Sequence, residues 1–132
     1  MQGFVPEMSL QDVNKISMLG LAHVGDAVYE LLFRSKLCRE GHSSVTSLHK
    51  LTVRHVNAEA QAAAVEKLLP ILTDEERDIY RRGRNAKVNS VPHHASIGQY
   101  HAATGLEALF GWLYLQGRVE RVNELFVRIT EE

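Results

Sequence analysis

The chain has 132 residues, 45% hydrophobic and 23% charged, with 15 basic against 16 acidic side chains and a formal charge of -1. That length favours one domain spanning 1–132, and the composition is that of an ordinary globular protein, not of a disordered or fibrous chain. A lone cysteine, Cys38, excludes an internal disulfide. No apolar run reaches membrane-spanning length, and the polar start lacks an export signal, so a reducing cytoplasm is the expected compartment.

The elements read as all-α. Ala, Leu, Glu and Arg are abundant, and no stretch alternates cleanly enough to be a strand. The first long helix is expected from about Ser17 to Arg39, with Gly41 as its stop. Its apolar residues cover most of the circumference, which predicts a central position. The next helix starts near Ser44, bends near Asn57 and runs to Leu69, where Pro70 interrupts it. Leu48, Leu51 and Val56 suit the core, while Lys50, Arg54, Asn57 and Gln61 line another side at helical spacing. Thr73 and Glu76 form a capping-box pattern that opens a helix to about Arg82. Residues 83–98 hold Gly83, Asn85, Asn89, Pro92 and Gly98 and read as a loop. A second buried helix is expected from Gln99 to Gln116, stopped by Gly117, and an amphipathic one from Arg118 to Thr130.

Two acids stand where acids are costly. Asp26 lies in LAHVGDAVYELLF and Glu107 in TGLEALFGWLYL, each inside the most apolar helix of its half of the chain. A carboxylate in such surroundings must be paired, hydrogen-bonded or bound to a metal. Gly20 and Gly25 flank the first, Gly105 and Gly111 the second. Each mid-helix glycine costs roughly 1 kcal/mol relative to alanine, which points to close approach of a backbone or a ligand. Two helices crossing at these glycines would bring the carboxylates together, and a hard divalent ion would relieve their repulsion. The structural alternative is that Asp26 pairs with a core histidine or arginine and that Glu107 sits on the exposed edge of its helix. Glu30, one turn after Asp26, is expected to pair with Arg34.

Charge is unevenly distributed. No acid occurs from Ile79 to Leu106 or from Gly41 to Ala58, so a nearly neutral chain still carries basic stretches. Arg82, Arg84, Asn85 and Lys87 occupy the first, on a glycine-containing turn and its exit, and suit phosphate contacts. Lys50 and Arg54 form a second candidate patch, for which a solvated helix face is the simpler reading.

These residues carry a family resemblance. LAHVGDAVYE resembles the signature helix of the ribonuclease III family, and LEALFGWLYL resembles its second acidic motif. The short length and the intervening YRRGRNAK resemble the Mini-ribonuclease III branch in particular. The resemblance covers nearly the whole chain. GDAV alone is weak, but GDAVYE, RRGRNAK and TGLEALFGWLYL in this order are specific.

The resemblance implies a ribonuclease III endonuclease fold, a homodimer with two active centres across one valley, and cleavage of double-stranded RNA without an appended RNA-binding domain. It implies that Asp26 and Glu107 are magnesium ligands. The broader family has an acid where this chain has Ala22 and an Asp where it has Thr104, two departures typical of the Mini branch. They leave a sparse site, with water and phosphate oxygens filling the other positions. Thr104 is a candidate to hydrogen-bond a water on the metal, against a plain bond to its own helix backbone. Magnesium would activate water for in-line attack on a phosphodiester. The implied role is maturation of large-subunit (23S) ribosomal RNA precursor.

Two other readings compete. One is a module of the same fold that holds structured RNA without cutting it. The other is a small helical interaction domain, which leaves the two acids and the acid-free basic stretch unexplained. Tyr100, Phe110, Trp112 and Tyr114 read as core or dimer packing, because a duplex hides its base faces.

Overall fold

The computed structural model describes residues 3–86 and 96–131. Among these residues there is no strand, and the fold is all-α as expected. The helices are α1 (Leu10–Val13), α2 (Met18–Arg39), α3 (Val45–Val56), α4 (Ala58–Leu68), α5 (Asp74–Arg84), α6 (Ile97–Leu115) and α7 (Val119–Thr130), with a single 3-10 turn at Leu69–Ile71.

Capping side chains fix most of the helix starts. Ser17 accepts the Gly20 amide at 3.0 Å, Thr73 the Glu76 amide at 3.1 Å and Ser96 the Gln99 amide at 3.1 Å. Asn57 closes α3 in an extended conformation and its side chain accepts the Ala60 amide at 2.8 Å, so the expected bend is a break between two helices. Ser96 and Gln99 form a full capping box, which starts α6 at Ile97 and not at Gln99. The short α1 was not expected. It begins at Ser9, whose side chain accepts the Asp12 amide at 3.1 Å, and the neighbouring segment is tied to α6 by Trp112 Nε1 donating to Asn14 Oδ1 at 3.0 Å.

The central helix is α6, not α2. Every residue of α6 from Ala103 to Leu113 except Glu107 is buried. It packs against α2, α4, α5 and α7. In α2 a stripe repeating every fourth residue is buried: Leu21, Gly25, Tyr29, Phe33 and Leu37. Ala22 beside that stripe is buried too, and the remaining apolar residues stay half-buried or exposed, Leu19 and Leu31 among them.

Glycines set the closest crossing. A Cβ on Gly25 would lie 1.6 Å from the Glu107 carbonyl oxygen, and one on Gly111 would lie 2.0 Å from that of Leu21. On the other side of α6, a Cβ on Gly83 would stand 2.8 Å from that of Ala108. Gly83 is therefore not a turn residue. It is a buried packing position inside α5, which runs on to Arg84.

Glu76 has a second role beyond its capping box. It is wholly buried, and Arg121 from α7 donates Nε to Oε2 and Nη2 to Oε1, each at 2.8 Å. The Thr73 amide donates to the same Oε1 at 2.9 Å, so the buried charge is fully answered. This bidentate pair ties α5 to α7.

Candidate active site

The crossing of α2 and α6 decides where the two acids sit. Asp26 directly follows Gly25, and Glu107 is the residue whose carbonyl Gly25 touches. The helices therefore deliver both carboxyls to the same end of one contact. They lie close enough to repel each other. Asp26 is exposed and Glu107 half-buried, which corrects the expectation of two acids sunk in apolar helices. The cause is geometric. The buried stripe of α2 runs through Gly25 and Tyr29, and Asp26 is turned off it toward solvent.

Burial, and then the charge of Asp26, push the Glu107 carboxyl up to about 8, against a bond from Gln61 that pulls it down. The same burial and the nearby Glu107 hold the Tyr29 phenol above its ordinary range. An ionised Glu107 is in conflict both with its own burial and with the neighbouring charge of Asp26. A divalent cation would remove that conflict.

Gln61 was not singled out as a site residue from the sequence. It is buried on α4, and its Nε2 donates to Glu107 Oε2 at 3.3 Å. The signal was a polar residue in AEAQAAAV on the apolar face that continues to Ala64, Val65 and Leu68. Thr104 is also buried, and its hydroxyl donates to the Tyr100 carbonyl at 3.1 Å. That is the backbone bond of a helix-interior threonine. Glu30 pairs with Arg34 at 2.6 Å, as expected.

The donor set fits a hard cation that keeps much of its own water. Among the described residues no group of three or more His, Cys, Asp or Glu side chains is placed to bind a metal. Two carboxylates with open coordination suit magnesium, which sheds water reluctantly and completes its shell from phosphate oxygens.

The basic candidates lie on two elements. Arg82, Arg84 and Asn85 are exposed at the C-terminal end of α5, which Gly83 seats against α6 beside Gly105 and Ala108. Their expected glycine turn is replaced by the last turn of a helix, where arginines also complement the helix dipole. Arg82 approaches Asp78 at 3.8 Å. Lys87 lies outside the described residues. Lys50 and Arg54 are exposed on one side of α3, next to its Ser44 cap.

A separate apolar groove of about 460 Å³ runs along the outer side of α2. Val24, Ala27, Val28, Leu31, Tyr114 and Val119 line it, with exposed His23 at its wall. Phe110 and Trp112 are buried in the core.

Comparison with known proteins agrees with this geometry. The Ribonuclease III domain family matches residues 19–118. A Mini-ribonuclease 3 of Thermoanaerobacter sp. (strain X514) is 44% identical over 138 residues, covering 100% of this chain and 97% of the relative. A Mini-ribonuclease 3 of Symbiobacterium thermophilum is 45% identical over 118 residues, covering 89% and 91%. The crystal structure of a Fusobacterium nucleatum protein superposes with a TM-score of 0.80 at 30% identity, covering 88% of this chain and 93% of that one.

Proposed function

The chain belongs to the ribonuclease III family, among its Mini-ribonuclease 3 members, and is an endoribonuclease; from that premise we propose that it hydrolyses double-stranded RNA with magnesium. The observation that carries the reading is the carboxyl pair. A backbone contact at Gly25 brings Asp26 and Glu107 together and leaves Asp26 open to solvent, where a phosphodiester can approach. Asp26 and Glu107 hold the ion. Once bound, magnesium supplies a lowered water pKa and stabilises charge on the phosphoryl and leaving oxygens.

Affinity for a duplex comes from phosphate contacts. Arg82, Arg84 and Asn85 at the end of α5, with Lys87 next but one in sequence, serve the phosphate backbone, and Lys50 and Arg54 on α3 add to them. A second copy of the chain covers the apolar groove along the outer side of α2. The resulting homodimer has two acid pairs, one for each strand. The proposed substrate is large-subunit (23S) ribosomal RNA precursor, processed in the cytoplasm. Among the described residues no helix is long and apolar enough to cross a membrane.

The test is cleavage of a perfectly paired RNA duplex with and without magnesium, by the protein and by its Asp26→Asn and Glu107→Gln variants. Cutting of both strands that requires magnesium and is lost in both folded variants is the expected result. Undiminished cutting by either variant would remove the acids from the chemistry. Tight binding with no cutting at all would leave only an RNA-holding module.

A further inference from the structure

Four polar side chains are buried among the described residues: Thr52, Gln61, Glu76 and Thr104. Glu76 is answered by Arg121, and Thr104 by its own helix. Gln61 differs. It is 2% exposed on the packed face of α4, between alanines and next to Val65, where an apolar side chain of equal length would pack without losing hydration. Its amide instead crosses from α4 to α6 and donates to Glu107 Oε2 at 3.3 Å. Its placement is set locally, because the Asn57 cap starts α4 one turn earlier and turns Gln61 inward.

We infer that Gln61 is a positioning residue for the cation site. Its amide holds one oxygen of Glu107, fixes the carboxylate's rotamer, and leaves the other oxygen for the ion shared with Asp26. With only two carboxylates available, a carboxylate free to rotate would lose much of the site's preorganisation. A neutral amide does this without adding a third negative charge to an already repelling pair. The inference rests on the reading of Asp26 and Glu107 as cation ligands. It adds a third helix, α4, to a site otherwise built by α2 and α6.

The experiment uses Mn2+ alone as the probe, titrated into the full-length protein and followed by electron paramagnetic resonance. Magnesium dependence of duplex cleavage is measured in parallel. Gln61→Met keeps the length and apolar packing of the position but removes the donor, and Gln61→Ala is the second variant should the first fail to fold. Loss of a hydrogen bond to a metal-ligating group typically weakens metal affinity roughly 10–100-fold. The expected result is a shift of that size in the Mn2+ titration and in the magnesium midpoint, with unchanged thermal stability and a cleavage rate restored at high magnesium. A merely structural glutamine would lower stability and leave the metal midpoint in place, and that outcome overturns the inference. Glu107→Gln separates this failure from a failure of the underlying reading. If Glu107→Gln abolishes Mn2+ binding while the Gln61 variants bind as the parent does, only the inference on Gln61 falls. If Glu107→Gln binds Mn2+ unchanged, the cation reading falls and takes the inference with it.

Discussion

Gly25 and Glu107 touch through their backbones, so that a Cβ on the first would lie 1.6 Å from the carbonyl oxygen of the second. No side-chain rotation can relieve that overlap, because backbone stands on both sides. Gly25→Ala must therefore push α2 and α6 apart, and with them Asp26 and Glu107. Overpacking in a core costs about 1–3 kcal/mol, and a rigid backbone clash belongs at or beyond the upper end. Gly111→Ala, which would meet the Leu21 carbonyl oxygen at 2.0 Å, is expected to behave the same way. Gly98→Ala is the control, since its nearest neighbour is the Ser96 hydroxyl at 4.0 Å, and it should gain roughly 0.4–1 kcal/mol. Thermal unfolding of the three variants checks the ranking.

The Glu76–Arg121 pair makes stability acid-sensitive. Burial pushes the Glu76 carboxyl up, but the bonds from Arg121 and from the Thr73 amide outweigh it, and the carboxyl ends below its ordinary value. A group depressed in the folded state stabilises above its unfolded pKa, about 4.3 for a glutamate, and loses that contribution as pH falls through the lower folded value. Melting temperature should thus fall between about pH 4.3 and more acidic conditions. Glu76→Gln should be less stable than the parent at pH 7 and flatter across that acid range. Arg121→Ala strands a buried charge and should cost about 3 kcal/mol, the low end for such pairs because Arg121 keeps some solvent contact. A parallel pH slope in parent and Glu76→Gln would show that the pair carries no such linkage.

The apolar groove on α2 predicts self-association. Leu31 is 47% exposed, so Leu31→Asp changes the groove without emptying the core. Sedimentation velocity should find the parent as a dimer and the variant shifted to monomer at the same concentration, with melting temperature lowered only as far as dimer linkage requires. A monomeric parent, or a variant that remains dimeric, would reassign the groove.

Much of this architecture was legible because helix starts are written in short polar signals. Ser17, Ser44 and Thr73 cap helices where the sequence places their starts, while Asn57, expected as a bend, caps a new helix. The Ser96–Gln99 box carried the same kind of signal but was masked by the surrounding glycine, proline and asparagine of an apparent loop. Gly83 was misread for a related reason. A glycine between arginines looks like a turn until the partner helix that needs its missing Cβ is known. Asp26 and Glu107 were found because charge inside an apolar run is rare. Their burial was not legible, since the apolar stripe of α2 repeats every fourth residue and leaves Asp26 outside it. Gln61 and the Glu76–Arg121 pair join residues distant in sequence, and no local pattern announces such partners.

The end of α5 separates the two explanations for its arginines. If Arg82 and Arg84 serve only the helix dipole and the exposed contact with Asp78, their loss should cost stability of about 0.5 kcal/mol or less and leave RNA binding alone. If they hold phosphates, Arg82→Gln and Arg84→Gln should each weaken duplex binding uniformly across sequences. Each should also reduce the slope of log affinity against log salt by about one, because a lost phosphate contact releases fewer counterions. The measurement is a salt titration of duplex binding without magnesium, which leaves cleavage out of the readout. An unchanged slope in the double variant would assign these arginines to the helix, and Lys50→Gln with Arg54→Gln on α3 would then be the next pair to show the loss.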